Sequence, residues 1–557
     1  MIIKSRQVYT GLTDQPEPLA LLIRGSKIEK VLPYDYESEK GEKREYPTTG
    51  VLDEGDYTEE KVIDYGEKLV MSSFIDSHTH VFSGAVDGSD YVCNTLGLCH
   101  SEAECVETMK AFAKMHPDQK RLRGTGWFVG AWNDAPLPDK KSLDAAFPDI
   151  PVYLRCADGH SMWLNSKAIE EAAYPADFHV DNGEACRYED GSFTGLFLEP
   201  AALQMALDKY MEFTKEELID IYTSFQDKLA SLGICAVSEM SADDYTDENK
   251  EKILLFKQLD QEGKLKADIF CYTKLFGYTG FKPFFELRKE MDTAHIHIAG
   301  VKGFIDGVTE TYTGLLLEPY EDKPETCGDG LPLWPRERMQ EEIIAANKAG
   351  IQVRLHCIAD GSVRMALDMY EKSLKINGDK GLRNTIEHIE NIHPDDIDRF
   401  KALRVMPSMQ PYHVTLSNNG KIWRLGAERC QLEFPIRSIY DAGGEISLGT
   451  DYPVVTINPF MTIYAAATRC DDEGHPMCKN YKTQTLPMDV ILKAYTKTAA
   501  MVYHAEERMG TLEEGKEANI IVLSKNLFTI PVEEIEDTKV QVTYYEGREV
   551  YSQESDM

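Results

Sequence analysis

The chain is predicted to fold as an α/β protein: a (β/α)8 TIM barrel, a small sheet domain drawn from both termini, and a subdomain inserted after the first barrel strand. Three observations carry this expectation. Eight short apolar segments alternate with helical patterns through the middle of the 557 residues, both ends read as β-rich, and the gap after the first apolar segment is far too long for a strand-to-helix loop.

Taken in order, the first 70 residues give short strands such as Ala20–Ile28 and Val62–Met71, punctuated by Gly, Pro and acidic turns. The barrel strands are expected at Ser73–Ile75, Ile234–Val237, Asp268–Tyr272, Ala299–Ile305, Ile351–Leu355, Asn384–Ile386, Arg404–Ser408 and Glu445–Leu448. Helical patterns at Arg336–Lys348 and Arg364–Leu374 flank the fifth. Strands return at Ala518–Leu523 and Val540–Tyr545, with Glu546-Gly547 as a hairpin turn into Val550-Tyr551. The expected domains are 1–70 plus 505–557 for the composite sheet, 71–504 for the barrel and 85–210 for the insertion, which would emerge at the barrel mouth. Within it, Trp127, Trp132 and Trp163 read as core before they read as a substrate box.

Composition narrows the function. Sixty Lys+Arg against 94 Asp+Glu leave a formal charge of −34, which repels polyphosphate and argues against nucleic acid or an anionic membrane as partner. Lys4, Arg6, Asp14 and Glu17 stand where a secretory signal would need an apolar run, and Tyr452–Thr468 is too broken by Pro453, Asn458 and Pro459 to span a bilayer. The twelve Cys show no CxxC pair, as fits a reducing compartment; a cytoplasmic protein acting on a small molecule is expected, with a homo-oligomer left open.

The chemistry gathers at predicted strand ends. His78 and His80 follow the first strand at i and i+2, a spacing that puts two imidazoles on one face and makes half a metal site. Isolated HxH pairs also occur as chance surface residues. Here His356 ends VRLHC, His388 ends NTIEH and Asp451 follows SLGT, each at a strand's C-terminal end, where barrel chemistry belongs. Asp451 also reads as a turn residue before Tyr452-Pro453. Lys302, within the apolar run Ile298–Ile305, is costly as a buried ammonium unless it snorkels, pairs with Asp306 or is chemically altered.

Ten segments together resemble the amidohydrolase superfamily, and within it the YtcJ-like metal-dependent hydrolases of the amidohydrolase-3 group, which include N-substituted formamide deformylase. They are FIDSHTH at 74–80, DGHSMWLNSKAI at 158–169, TGLFLEPA at 194–201, SLGICAV at 231–237, VKGFIDG at 301–307, LHCIAD at 355–360, IEHIE at 386–390, SMQPYH at 408–413, SLGTDYPV at 447–454 and MGTLEEGKEANIIVL at 509–523. The resemblance implies a barrel with a composite β-sandwich and one or two divalent ions, zinc foremost. It implies His78, His80, His356, His388 and Asp451 as ligands, with Lys302 N-carboxylated as a bridge. His160, Glu199, Asp306 and His413 are candidate substrate contacts, with structural roles equally open. Two departures, Ser72-Ser73 for the usual Pro-Gly and Ala518-Asn519-Ile520 for the usual Ala-Asp-Leu, mark a divergent member.

The expected activity is hydrolysis of a carbon–nitrogen bond of amide or formamide type by a metal-activated water, with Asp451 moving the proton. The alternatives are an aminohydrolase (deaminase) of the same superfamily or a non-catalytic metal-binding member. Deaminases of this kind usually carry Glu three residues after the fifth-strand His, where this chain has Ala359.

Overall fold

The computed structural model describes residues 1–34, 61–129, 132, 136–157, 161–180, 183–198, 200–241, 247–276, 280–309, 312–327, 332–416, 421–471, 473–478 and 480–553. They divide into two compact units, Met1–Val81 with Gln226–Met557, and Phe82–Phe225.

The larger unit is built on an eight-stranded sheet: β1 (Phe74–Ile75), β2 (Ile234–Glu239), β3 (Asp268–Lys274), β4 (Ile296–Phe304), β5 (Gln352–Cys357), β6 (Thr385–His388), β7 (Met406–Met409) and β8 (Ser447–Leu448). Each pairs in parallel with the next in sequence. All eight overlap the expected segments. The segments leaving β1 and β8 are themselves joined: Ser77 N–H donates to the Leu448 carbonyl (3.1 Å), Asp451 N–H to His78 (2.7 Å) and His80 N–H to Tyr452 (2.8 Å). Helices such as Arg336–Lys348 and Asp360–Asn377 lie between successive strands, and parallel strands covered in this way read as near-continuous buried runs, as in ICAVSE of β2.

Both termini contribute to a second sheet in the same unit. Its order runs Arg548–Ser552, Val540–Tyr545, Ile520–Leu523, Leu69–Ser72, Ile2–Tyr9, Glu17–Arg24, Lys27–Pro33, with Val62–Asp64 paired on Ile2–Tyr9. The antiparallel pairing of Ile520–Leu523 with Leu69–Ser72 ties the C-terminal strands to the strand that runs straight into β1. Two expected strands are corrected. Ala20–Ile28 is a hairpin of two strands, because Gly25 turns at φ +56°, a left-handed conformation that favours glycine; Val62–Met71 is likewise broken, by a turn holding Gly66 at φ +61°. Glu546-Gly547 does turn Val540–Tyr545 into Arg548–Ser552, both residues having positive φ.

The smaller unit has its own five-stranded sheet, ordered Glu184–Arg187, Phe193–Leu198, Ser161–Leu164, Val152–Cys156, Leu122–Trp127. Trp127, Trp132 and Trp163 are buried in one apolar cluster with Leu143, Leu154 and Leu196, so these indoles are core. Among the described residues, no helix is long and apolar enough to cross a membrane.

Candidate metal centre

Asp451 lies three residues beyond β8, and four imidazoles converge on its carboxylate. His80 Nε2 stands 3.0 Å from Oδ1 and His78 Nε2 3.5 Å; His413 Nε2 stands 3.6 Å from Oδ2 and His388 Nδ1 3.9 Å. Two groups of donor atoms lie within 4.8 Å of one another, His78/His80/Asp451 and His388/His413/Asp451, and Asp451 belongs to both. Ligand atoms about 2.0–2.2 Å from a tetrahedral ion are about 3.3–3.6 Å apart, because a tetrahedron's edge is about 1.63 times its centre-to-vertex distance. Most of the observed separations fall close to that range and exceed an ordinary hydrogen bond.

Local backbone explains the convergence. Regular strand alternation would send Glu387 and His388 to opposite faces, but His388 sits at φ +74°, and both side chains reach His78. Glu387 Oε2 lies 2.7 Å from His78 Nδ1, and the His388 and His78 ring centroids are 4.8 Å apart. Asp451 also has positive φ, +62°. Strained residues of this kind gather at functional sites. Behind His78 the packing is tight: a Cβ on Gly449 would meet the His78 nitrogen at 2.6 Å, so only glycine fits there. Asp76 accepts from the Thr450 N–H (2.9 Å) and hydroxyl (2.7 Å), locking the β1 exit to the β8 exit, and burial raises its carboxyl to about 7.

Outer groups orient the imidazoles. Glu387, fully buried, takes Arg354 as a fork, Nε to Oε1 at 2.8 Å and an Nη to Oε2 at 3.0 Å, so burial is outweighed and its carboxyl is held well below the usual range. A His78 Nδ1–H donated to this carboxylate leaves the Nε2 lone pair facing Asp451. Burial, aided by the Lys302 charge, pushes His78 down to about 4, so the ring is neutral at pH 7. Burial also holds His356 at about 3 and His388 well below its ordinary value. His80 moves the other way, its proton held against burial by Asp451. Burial opposes ionisation of Asp451, but the hydrogen bond from His80, whose proton is retained, works against it, and the carboxyl is held below the usual range.

These donors fit a divalent ion. His78 Nε2, His388 Nδ1 and His413 Nε2 are buried without a hydrogen-bond partner among the described residues, and neutral imidazole plus carboxylate is a donor set for zinc-like ions. Of the other expected ligands, His356 packs its ring 4.4 Å from that of His388 but stands outside both donor groups, its Nε2 3.4 Å from the Gly307 carbonyl. Lys302, two residues before the end of β4, is buried with its ammonium 5.2 Å from the Phe304 ring centre, and burial pulls its pKa down to about 8.

Among the expected substrate contacts, His413 is in the cluster itself. Asp306 is buried with its oxygens taken by backbone N–H groups of Leu315 (3.0 Å), Ile358 (3.0 Å) and Ala359 (3.2 Å). His160 and Glu199 lie outside the described residues. Sequence reading missed Arg354, Glu387, Glu390 and Lys421. A signal existed for Arg354, a cation two residues before His356 on the same face of an otherwise apolar strand.

Comparison with known proteins is consistent with this geometry. The chain is 27% identical over 502 residues to the protein LONG AFTER FAR-RED 3 of Arabidopsis thaliana, covering 87% of this chain and 82% of that protein. It is 24% identical over 503 residues to the N-substituted formamide deformylase of Arthrobacter pascens, covering 87% and 89%. An uncharacterized metal-dependent hydrolase from Pyrococcus horikoshii OT3 superposes with a TM-score of 0.76 at 24% identity, over 96% of this chain and 99% of that one. The profile of the amidohydrolase family matches residues 61–551, and the chain belongs to that family.

Proposed function

We propose that the protein is a metal-dependent hydrolase that cleaves the carbon–nitrogen bond of a small amide or N-substituted formamide. The parallel sheet is read as a (β/α)8 barrel, residues 1–70 and 505–557 as its composite β-sandwich and 85–210 as an insertion. The observation that carries the reading is the Asp451 carboxylate facing buried imidazole nitrogens that have no hydrogen-bond partner among the described residues. His78, His80, His356, His388, Asp451 and, once carboxylated, Lys302 would hold one or two ions, zinc by the chemistry of the set. A divalent ion there supplies Lewis-acid polarisation of a carbonyl and makes water a nucleophile at neutral pH.

The chain's own residues do the rest. Asp451, anionic, accepts the proton of the attacking water and returns it to the leaving nitrogen as the C–N bond breaks, giving an amine and a carboxylic acid that releases its proton to water. Glu387 and Arg354 hold His78 in one tautomer. Asp306 holds the loops after β4 and β5 rather than the substrate. Lys302, its pKa lowered to about 8, has a free-amine fraction at neutral pH that adds to CO2. A new N–C bond and one released proton give a carbamate anion, and the buried ammonium is removed.

The test is a turnover screen of zinc-loaded protein against N-formyl, N-acyl, cyclic-imide and aminopurine substrates. Release of amine with formate or another carboxylate supports the reading. Ammonia from aminopurines alone, or no turnover by metal-loaded protein, overturns it.

A further inference from the structure

We propose that His413 is itself a metal ligand, forming with His388 and Asp451 the second half of a two-ion centre, and that Glu390 and Lys421 are its positioning residues. The inference rests on the reading that the centre holds divalent ions. It adds a ligand from the segment after β7, which the family resemblance does not supply.

Three observations carry it. First, the donor atoms of His388, His413 and Asp451 all lie within 4.8 Å of one another, and all three residues are buried. Second, His388 Nδ1 and His413 Nε2 have no hydrogen-bond partner among the described residues. An imidazole contacting substrate needs an open face, whereas His413 is 4% exposed and its Nε2 points at Asp451 Oδ2 from 3.6 Å. That separation suits two ligands of one ion. Third, a carboxylate stands behind His413 where a ligand imidazole has its outer support: Glu390 Oε1 lies 3.6 Å from Nδ1, longer than a hydrogen bond, and Lys421, also buried, pairs with Glu390 Oε2. The arrangement repeats, with different parts, the His78–Glu387–Arg354 chain on the other half of the centre.

The experiment counts ions and reads their ligands, with no use of turnover. Protein reconstituted with zinc is dialysed against metal-free buffer and assayed for bound metal; the cobalt(II) form is followed by visible absorption. The expected results are two ions in the wild type, one in His413→Ala, and a second ion bound 10–100-fold more weakly in Glu390→Gln, which keeps the imidazole and nearly the same volume. The cobalt spectrum of His413→Ala should lose the contribution of that ion, while its circular dichroism matches the wild type. A His413→Ala protein that is folded but keeps the wild-type ion count, affinity and cobalt spectrum overturns the inference and leaves the metal-dependent reading standing. If His413→Ala does not fold, an unchanged second-ion affinity in Glu390→Gln overturns it. A wild type that binds no ion at all overturns the metal-dependent reading and this inference with it.

Discussion

Glu387 and Glu390 stand three residues apart and each faces the Nδ1 of one imidazole, but the two supports are made of different material. Glu387 is on β6, and its partner Arg354 is on the adjacent β5, so the sheet's own register sets the pair. The guanidinium grips both carboxylate oxygens, and both residues are fully buried. Glu390 is in the loop after β6, and its partner Lys421 begins a short helix 31 residues further on, so loop packing sets that pair. An ammonium is a point charge on a flexible stem, where the guanidinium is a planar fork. His78 is therefore held by rigid, directional contacts, and His413 faces a pair that has more freedom to adjust.

The largest expected effect falls on the group the two halves share. Asp451→Asn is nearly isosteric and should leave the fold intact while turnover drops by at least ~10²-fold, as loss of acid–base catalysis predicts. Near wild-type turnover would return Asp451 to a turn-capping role. Next is Arg354→Met, which leaves Glu387 charged and unpaired in the interior; a stability loss of ~3–5 kcal/mol is expected by denaturant unfolding. The double variant Arg354→Met/Glu387→Leu should recover much of that loss, since it removes the stranded charge, although His78 loses its support. Failure to recover would mean that the pair shapes the sheet beyond its charge.

Lys421→Met should cost less, ~1–3 kcal/mol, because the loop can relax around Glu390. Its pH dependence sharpens the contrast. Burial opposes ionisation of Glu390, but Lys421 and then His413 outweigh it and hold the carboxyl at about 2, against an unfolded value of 4.5. With a depressed folded pKa, the stabilisation is present above pH 4.5 and is lost as pH falls toward 2. The deficit of Lys421→Met should therefore shrink across that window. A deficit that stays constant from pH 7 to pH 3 would show that Lys421 acts through packing.

What the sequence made legible follows the same division. The eight parallel strands announce themselves as apolar runs, and the donors at their C-terminal ends, His78, His80, His388 and Asp451, are brought together around one carboxylate. Alternation along a strand is a rule about regular backbone, however. At His388 a φ of +74° breaks it, so the side chain's true direction is not written in the NTIEH pattern. His356 ends its strand in the same manner, yet its Nε2 faces the Gly307 carbonyl. His413 and its Glu390–Lys421 support were illegible as a set because loop packing brings them together, and loop packing has no period in the sequence. The terminal hairpin at Gly25 was merged into one strand for a related reason: a two-residue turn interrupts the apolar pattern too briefly to show.

Everything above turns on Asp451, proposed as the shared ligand of a two-ion centre. Anomalous diffraction at the zinc edge, on crystals of zinc-reconstituted protein, tests it most directly. Two peaks are expected, each within about 2.5 Å of an Asp451 oxygen, one also ligated by His78 and His80 and the other by His388 and His413. A zinc-loaded crystal with no anomalous peak within coordination distance of Asp451 would contradict it.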